Sequence, residues 1–200
     1  MDLSSWLSLL NILVLLFSLY KIITVITIKR SSFLILLSSA LLTYMVSNII
    51  YLVDDSLIVA IRFLNTASLV CILSALFNLV RESKPVFARF PAILGYLPFI
   101  ILLFVPLVLE KSVIYKLLLG TFQGGALIVS ILIFSINQKN QNNYLLMIIG
   151  TLVCIISFIF FWMIPLTEKQ IIVVTELLLI TGVFLISLGA KQSQINTSNV

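Results

Sequence analysis

Residues 56–80 read SLIVAIRFLNTASLVCILSALFNLV, an apolar run that is long enough to cross a bilayer and contains one charge, Arg62. A membrane-spanning helix needs about 20 apolar residues, and a charge at bilayer depth is costly enough to indicate a functional site. The rest of the chain has the same character, since 62% of its 200 residues are hydrophobic and only 10% are charged. The sequence therefore predicts a polytopic membrane protein.

The apolar runs predict an all-α protein, a seven-transmembrane helix bundle. The predicted helices cover residues 6–28, 32–53, 56–80, 87–108, 113–135, 144–165 and 170–190. The fourth helix contains Pro91, Pro98 and Pro106, and membrane helices tolerate proline at a kink, so we expect this helix to be kinked. We expect residues 1–191 to form a single transmembrane domain, and residues 192–200 to form a polar, disordered cytoplasmic tail.

The distribution of lysine and arginine predicts the orientation. If the N-terminus lies outside, cytoplasmic segments hold seven of the 12 basic residues, outer segments hold three, and Lys21 and Arg62 lie within spans. Cytoplasmic loops carry the excess of basic residues, so the protein is predicted to be N-out/C-in in a bacterial inner membrane. The lipid bilayer is its expected environment. No nucleic-acid partner is expected, because the basic residues form no clustered face.

Several classes of chemistry lack their residues here. The sequence has no histidine, which removes imidazole acid–base catalysis and histidine-ligated metal. Cys71 and Cys154 fall in separate apolar runs, where we expect small core residues. Glu176 is the only acidic residue predicted in the middle of a span, so paired carboxylates are lacking as well. We expect no catalytic residue, no metal and no cofactor.

Arg62 and Glu176 are predicted at equal depth. Each lies some six residues from the outer end of its helix, which corresponds to about 9 Å below the outer surface. Their opposite charges are consistent with an ion pair. The alternative is that Arg62 extends outward to Asp54 or Asp55 while Glu176 is protonated.

Other polar residues are predicted to gather around that depth. Two interpretations stay open: the residues line a polar cavity that opens outward, or they form hydrogen bonds between helices. The ligand-binding or structural cluster comprises Arg62, Glu176, Asn65, Asn48, Tyr44 and Gln123. Gly120 and Gly124 form a GxxxG pattern in the fifth helix, which favours close helix packing.

The order of these residues resembles the microbial rhodopsin family. Its third helix carries an arginine and, three positions later, the aspartate that serves as counter-ion; Arg62 and Asn65 occupy those positions here. Its seventh helix carries an aspartate and, four positions later, the lysine that binds retinal. Glu176 and Ile180 occupy these positions, so the resemblance implies a seven-helix protein without covalent retinal.

The length, orientation and compact loops also resemble the seven-helix sensor region of some bacterial histidine kinases. We therefore expect a non-enzymatic, receptor-like, sensory or accessory membrane subunit with a membrane or cytoplasmic protein partner. The alternatives are a small membrane transporter and a retinal-free, rhodopsin-like protein.

Overall fold

A computed structural model describes residues 3–27, 30–54, 56–83, 89, 91–109, 111–140, 144–163 and 169–196. Within these residues the protein is all-α. The described residues form seven helical segments, which are α1 (Leu3–Ile26), α2 (Ser32–Val53), α3 (Ile58–Ser83), α4 (Ala92–Leu107), α5 (Ser112–Asn140), α6 (Leu145–Met163) and α7 (Lys169–Asn196).

Six of the described helices, all but α4, are long and apolar enough to cross a membrane. This confirms the prediction of transmembrane helices. The predicted and observed bounds agree closely for α2 and differ most at the polar ends of α5 and α7. There the helix continues to Asn140 and to Asn196, because backbone hydrogen bonding continues past the apolar run. The predicted tail begins within α7, and residues 197–200 lie outside the described residues.

The chain divides into two compact units. The terminal unit comprises Met1–Val25 and Leu127–Val200, and the central unit comprises Ile26–Ala126. The long helix α5 runs through the point of division.

In the central unit, serine hydroxyls link α2 and the residue before it to α3. Near one end, Ser31 Oγ donates a hydrogen bond of 3.2 Å to Glu82 Oε2. Further along, Ser68 Oγ donates to the Ala40 carbonyl oxygen at 2.9 Å. These buried hydroxyls allow the two helices to approach closely and supply polar links where lipid and apolar side chains offer none.

In the terminal unit, α6 and α7 pack backbone against backbone. A Cβ atom added at Gly150 would lie 2.7 Å from the Gly182 carbonyl oxygen, and one at Gly189 would lie 2.8 Å from the Met147 nitrogen. Ser157 Oγ also donates a 2.7 Å hydrogen bond to the Thr175 carbonyl oxygen. Only glycine fits at such contacts, so these glycines determine how near the two helices come.

The fourth segment, α4, is wound differently from the others. Residues Ala92–Ile100 form a 3₁₀-helix, Ile101–Phe104 one α-helical turn, and Val105–Leu107 a second 3₁₀ turn. Such a long 3₁₀ run is uncommon and often marks strain or a hinge. Pro98 lies inside this run and supplies no backbone N–H, which accounts for part of the irregularity. The predicted kinked helix is therefore a mixed 3₁₀ and α segment.

Candidate functional site

Arg62 lies on α3 in the central unit and contacts the end of α4. Its Nη1 donates a 2.6 Å hydrogen bond to the carbonyl oxygen of Leu109, just beyond the last turn of α4. Its guanidinium carbon lies 5.2 Å from the centre of the Tyr115 ring on α5. A cation beside the carbonyl end of a helix is favourable, and a cation over an aromatic face is favourable too.

The backbone of Arg62 is also tied down. Thr66 Oγ1 donates to the Arg62 carbonyl oxygen at 2.9 Å, and Tyr115 donates its hydroxyl to the same oxygen at 3.3 Å. Tyr115 is buried with Val105 and Leu109 in one apolar cluster. Three helical segments therefore meet at Arg62, and the arginine is held by neutral groups: a carbonyl oxygen and an aromatic ring.

Asn65, one turn beyond Arg62, has a partner on α2. Ser47 Oγ donates to Asn65 Oδ1 at 2.8 Å and lies 3.4 Å from the Ile61 carbonyl oxygen. Asn48, the next residue on α2, donates through Nδ2 to the Tyr44 carbonyl oxygen of its own helix at 2.8 Å. Three predicted site residues, Asn65, Asn48 and Tyr44, thus take part in hydrogen bonds within or between α2 and α3.

The turn between α2 and α3 is closed by Asp54. The Ser56 backbone N–H donates a 2.9 Å hydrogen bond to Asp54 Oδ1. Hydrogen bonds from the Ser56 side chain and then from its backbone lower the pKa of Asp54 below its ordinary value. The carboxylate is therefore ionised at neutral pH, and it accepts a hydrogen bond within its own turn.

Two predicted site residues remain, Glu176 and Gln123. Glu176 belongs to α7 of the terminal unit, where its side chain is exposed, and Gln123 on α5 is half-buried. The predicted ion pair of Arg62 with Glu176 stays a prediction, because the two residues belong to different units. The predicted close packing at Gly120 and Gly124 also stays a prediction; the neighbouring Gly125 has open space where a Cβ would lie.

A second contact between α3 and α4, which the sequence did not predict, joins Asn78 and Gly95. Asn78 is 2% exposed, and its Nδ2 donates to the Ser74 carbonyl oxygen at 2.9 Å. A Cβ atom at Gly95 would lie 2.5 Å from the same Nδ2 atom. The sequence did contain two signals of this contact: Asn78 lies in an apolar run, and Gly95 lies in a proline-rich one. Neither signal identifies its partner, because that depends on tertiary packing.

Along α3, Arg62 and Asn78 are about 24 Å apart at the rise of an α-helix. Each contacts α4, one near its start at Gly95 and one just past its end at Leu109. A 3₁₀-helix rises by about 2.0 Å per residue and an α-helix by about 1.5 Å. The extended winding of α4 helps its two contact points to match the spacing of those on α3.

Comparison with known proteins identifies no relative: no protein-family model, no curated protein and no solved structure matches this chain.

Proposed function

We propose that this chain is a non-enzymatic integral membrane protein of the receptor-like, sensory or accessory-subunit type, inserted N-out/C-in with seven crossings of a bacterial inner membrane. Six apolar helices support the membrane assignment. The sequence offers no histidine for catalysis. The more specific function is supported by the polar group around Arg62.

The length of α4 supports the seventh crossing. Although α4 is short for a span, its mostly 3₁₀ winding makes it about 30 Å long, close to the thickness of the hydrocarbon core. An odd number of crossings places the two termini on opposite sides of the membrane. The excess of basic residues in the predicted cytoplasmic segments then favours N-out/C-in.

The observation that carries the functional proposal is the position of Arg62. An arginine within an apolar span is retained at a cost, and such residues mark ligand or ion sites, partner contacts or relays. Here α3, α4 and α5 all contribute contacts to the arginine. A ligand or partner that engages Arg62 would therefore act on three segments at once, which is what a receptor-like subunit requires.

Co-purification from native membrane tests this function. The tagged chain, expressed at its native level, is extracted in a mild non-ionic detergent, and bound proteins are identified by mass spectrometry with quantification against the bait. We expect one membrane or cytoplasmic protein in near-stoichiometric amount. The proposal would be contradicted if the chain elutes without a partner and the purified chain is active in a transport assay.

A small transporter is the second candidate, and α4 is the observation that favours it. Transporters use discontinuous helices near their substrate sites, and α4 is irregular through most of its length. Uptake of labelled solutes into proteoliposomes tests this candidate. The control is the Gly182→Leu variant, which should disrupt the α6–α7 contact and so abolish uptake that depends on the folded protein.

A further inference from the structure

The guanidinium of Arg62 has unused hydrogen-bonding capacity. A guanidinium carries five N–H donors in a planar fork. In the described part of the central unit, one hydrogen bond, to the Leu109 carbonyl oxygen, uses that capacity. The Tyr115 ring covers one face of the group without accepting a conventional hydrogen bond. Among the described residues of this unit, most of the guanidinium donors and its positive charge therefore have no acceptor of their own.

The proposed N-out orientation puts Arg62 at a depth that anions reach. It is four residues after Ile58, the first residue of α3, which places it about 6 Å along the helix. The headgroup layer on each side of a bilayer is about 6 Å thick. If α3 begins at the outer surface, Arg62 lies where headgroups meet hydrocarbon, within reach of a lipid phosphate or of a solute from outside. Its side chain is half-buried rather than sealed.

The surroundings of Arg62 favour one ligand chemistry. A planar guanidinium recognises carboxylate and phosphate oxygens through two parallel hydrogen bonds, and holding it in place beforehand makes that recognition less costly. The Leu109 carbonyl oxygen and the Tyr115 ring hold the group, while Thr66 and Tyr115 fix the backbone beneath it.

We propose that Arg62 is the anion-binding residue of an outer site, which takes an oxyanion, either a carboxylate or a phosphate, with the Tyr115 ring as its platform. This inference rests on the proposed receptor-like function and assigns its ligand class. The oxyanion comes from a soluble solute or from a lipid headgroup, and these two sources share the same chemistry.

The test measures thermal unfolding of the whole chain in a maltoside detergent, to which lipid is added only in the second arm. In one arm, sodium acetate or inorganic phosphate replaces sodium chloride at constant ionic strength. In the other, phosphatidylglycerol replaces an uncharged glycolipid. The variants are Arg62→Gln and Arg62→Lys. The lysine variant keeps the positive charge but lacks the planar guanidinium, and it serves as the second variant if Arg62→Gln fails to fold. The control is Lys116→Gln, which removes an exposed cation of α5 next to Tyr115.

Binding at about ten times the dissociation constant should raise the unfolding midpoint of the unmodified protein and of Lys116→Gln by about 3 °C in at least one arm. The rise should be lost in Arg62→Gln and at least halved in Arg62→Lys. A rise in the soluble arm assigns a solute, and a rise only with phosphatidylglycerol assigns a headgroup. Equal rises in Arg62→Gln and the unmodified protein would overturn the proposal and leave Arg62 as a cap for α4.

A third arm of the test asks whether an acidic side chain of the protein itself occupies the site. Glu110 follows Leu109 in the sequence, and Glu176 is the predicted partner of Arg62. If the anion response appears only after Glu110→Gln or Glu176→Gln, an internal carboxylate fills the site and the proposal is wrong. The receptor-like function fails separately, since it depends on the co-purified partner, which none of these measurements involves.

Discussion

Arg62 and Leu109 form the link between α3 and the end of α4: Nη1 of the arginine lies 2.6 Å from the carbonyl oxygen of the leucine. At the edge of the hydrocarbon layer an unpaired carbonyl oxygen and an unpaired guanidinium donor are both costly, so each group stabilises the other. The contact places a charge where two segments meet, and the Tyr115 ring of α5 adds a third.

Loss of the arginine should destabilise this junction. We expect Arg62→Gln to lower the free energy of unfolding by about 2 kcal/mol, since hydrogen bonds to charged groups contribute about 1.5–3 kcal/mol. Arg62→Lys should lose less, because it keeps the charge. Unfolding in a detergent titration measures both. Lys116→Gln should change stability by under about 0.5 kcal/mol as a surface control; a loss as large as that of Arg62→Gln would point to net charge instead of the contact.

The contact between Gly95 and Asn78 should behave as a coupled pair. Gly95→Ala puts a methyl group 2.5 Å from Asn78 Nδ2, and we expect a loss of about 1–3 kcal/mol from overpacking. Asn78→Ala in the same chain makes room, so the double variant should lose less than the sum of the single changes. Gly125→Ala is the control: with nothing within 4 Å, it should be neutral or stabilising by up to about 1 kcal/mol. Strictly additive losses would contradict the contact.

The loss of stability caused by Gly182→Ala should not be reversed by a second substitution. A Cβ there would come closest to the side-chain Sγ of Cys154, and it would also lie 2.8 Å from the Gly150 carbonyl oxygen and 3.1 Å from the Cys154 nitrogen, which are backbone atoms. We expect Gly182→Ala to lower the unfolding midpoint, and trimming the adjacent side chain with Cys154→Ala to restore little of it. Full restoration by Cys154→Ala would show that the side chain, not the backbone, limits the approach of α6 and α7.

The hydrogen bond of Ser47 to Asn65 should be measurable as a coupling between α2 and α3. Polar contacts between membrane helices average about 0.6 kcal/mol, with about 1.7 kcal/mol as the largest measured. A double-mutant cycle of Ser47→Ala and Asn65→Ala should give a coupling in that range. Ser38 is half-buried, and among the described residues its hydrogen bond goes to the Ile35 carbonyl oxygen of its own helix. It supplies the control: Ser38→Ala with Asn65→Ala should be additive.

The number of crossings can be read from one engineered cysteine. If α4 crosses the membrane in an N-out protein, Lys111 lies outside; if it does not, Lys111 is cytoplasmic. A membrane-impermeant maleimide should therefore label Lys111→Cys in intact cells. Ser56→Cys, in the outer turn under either count, is the positive control, and native Cys71 and Cys154 are both buried. Labelling of Lys111→Cys only after permeabilisation would leave six crossings.

The long apolar helices follow from the sequence because hydropathy is a local property. A run of apolar residues must leave water, and inside a bilayer its backbone must satisfy its own hydrogen bonds as a helix. The bounds predicted for α2, 32–53, coincide with the observed Ser32–Val53. The ends of α5 and α7 were predicted too early, because a helix does not stop where its hydropathy does.

The winding of α4 could be predicted only in part. Three prolines indicated an irregular helix, but not that Ala92–Ile100 would form a 3₁₀-helix. Pro98 accounts for part of that winding, while the contacts of this segment with Asn78 and Arg62 join residues that are far apart in the sequence, which no local pattern predicts.

The sequence by itself determined that this chain is a set of apolar helices, that Arg62 lies inside one of them and that histidine chemistry is absent. Tertiary structure decided which partner each polar residue takes: Arg62 the carbonyl of Leu109 and the ring of Tyr115, and Asn65 the hydroxyl of Ser47. The physical reason is that burial of an apolar run depends on its composition alone. A hydrogen bond depends on two groups meeting within about 3 Å, and helix packing determines which groups meet.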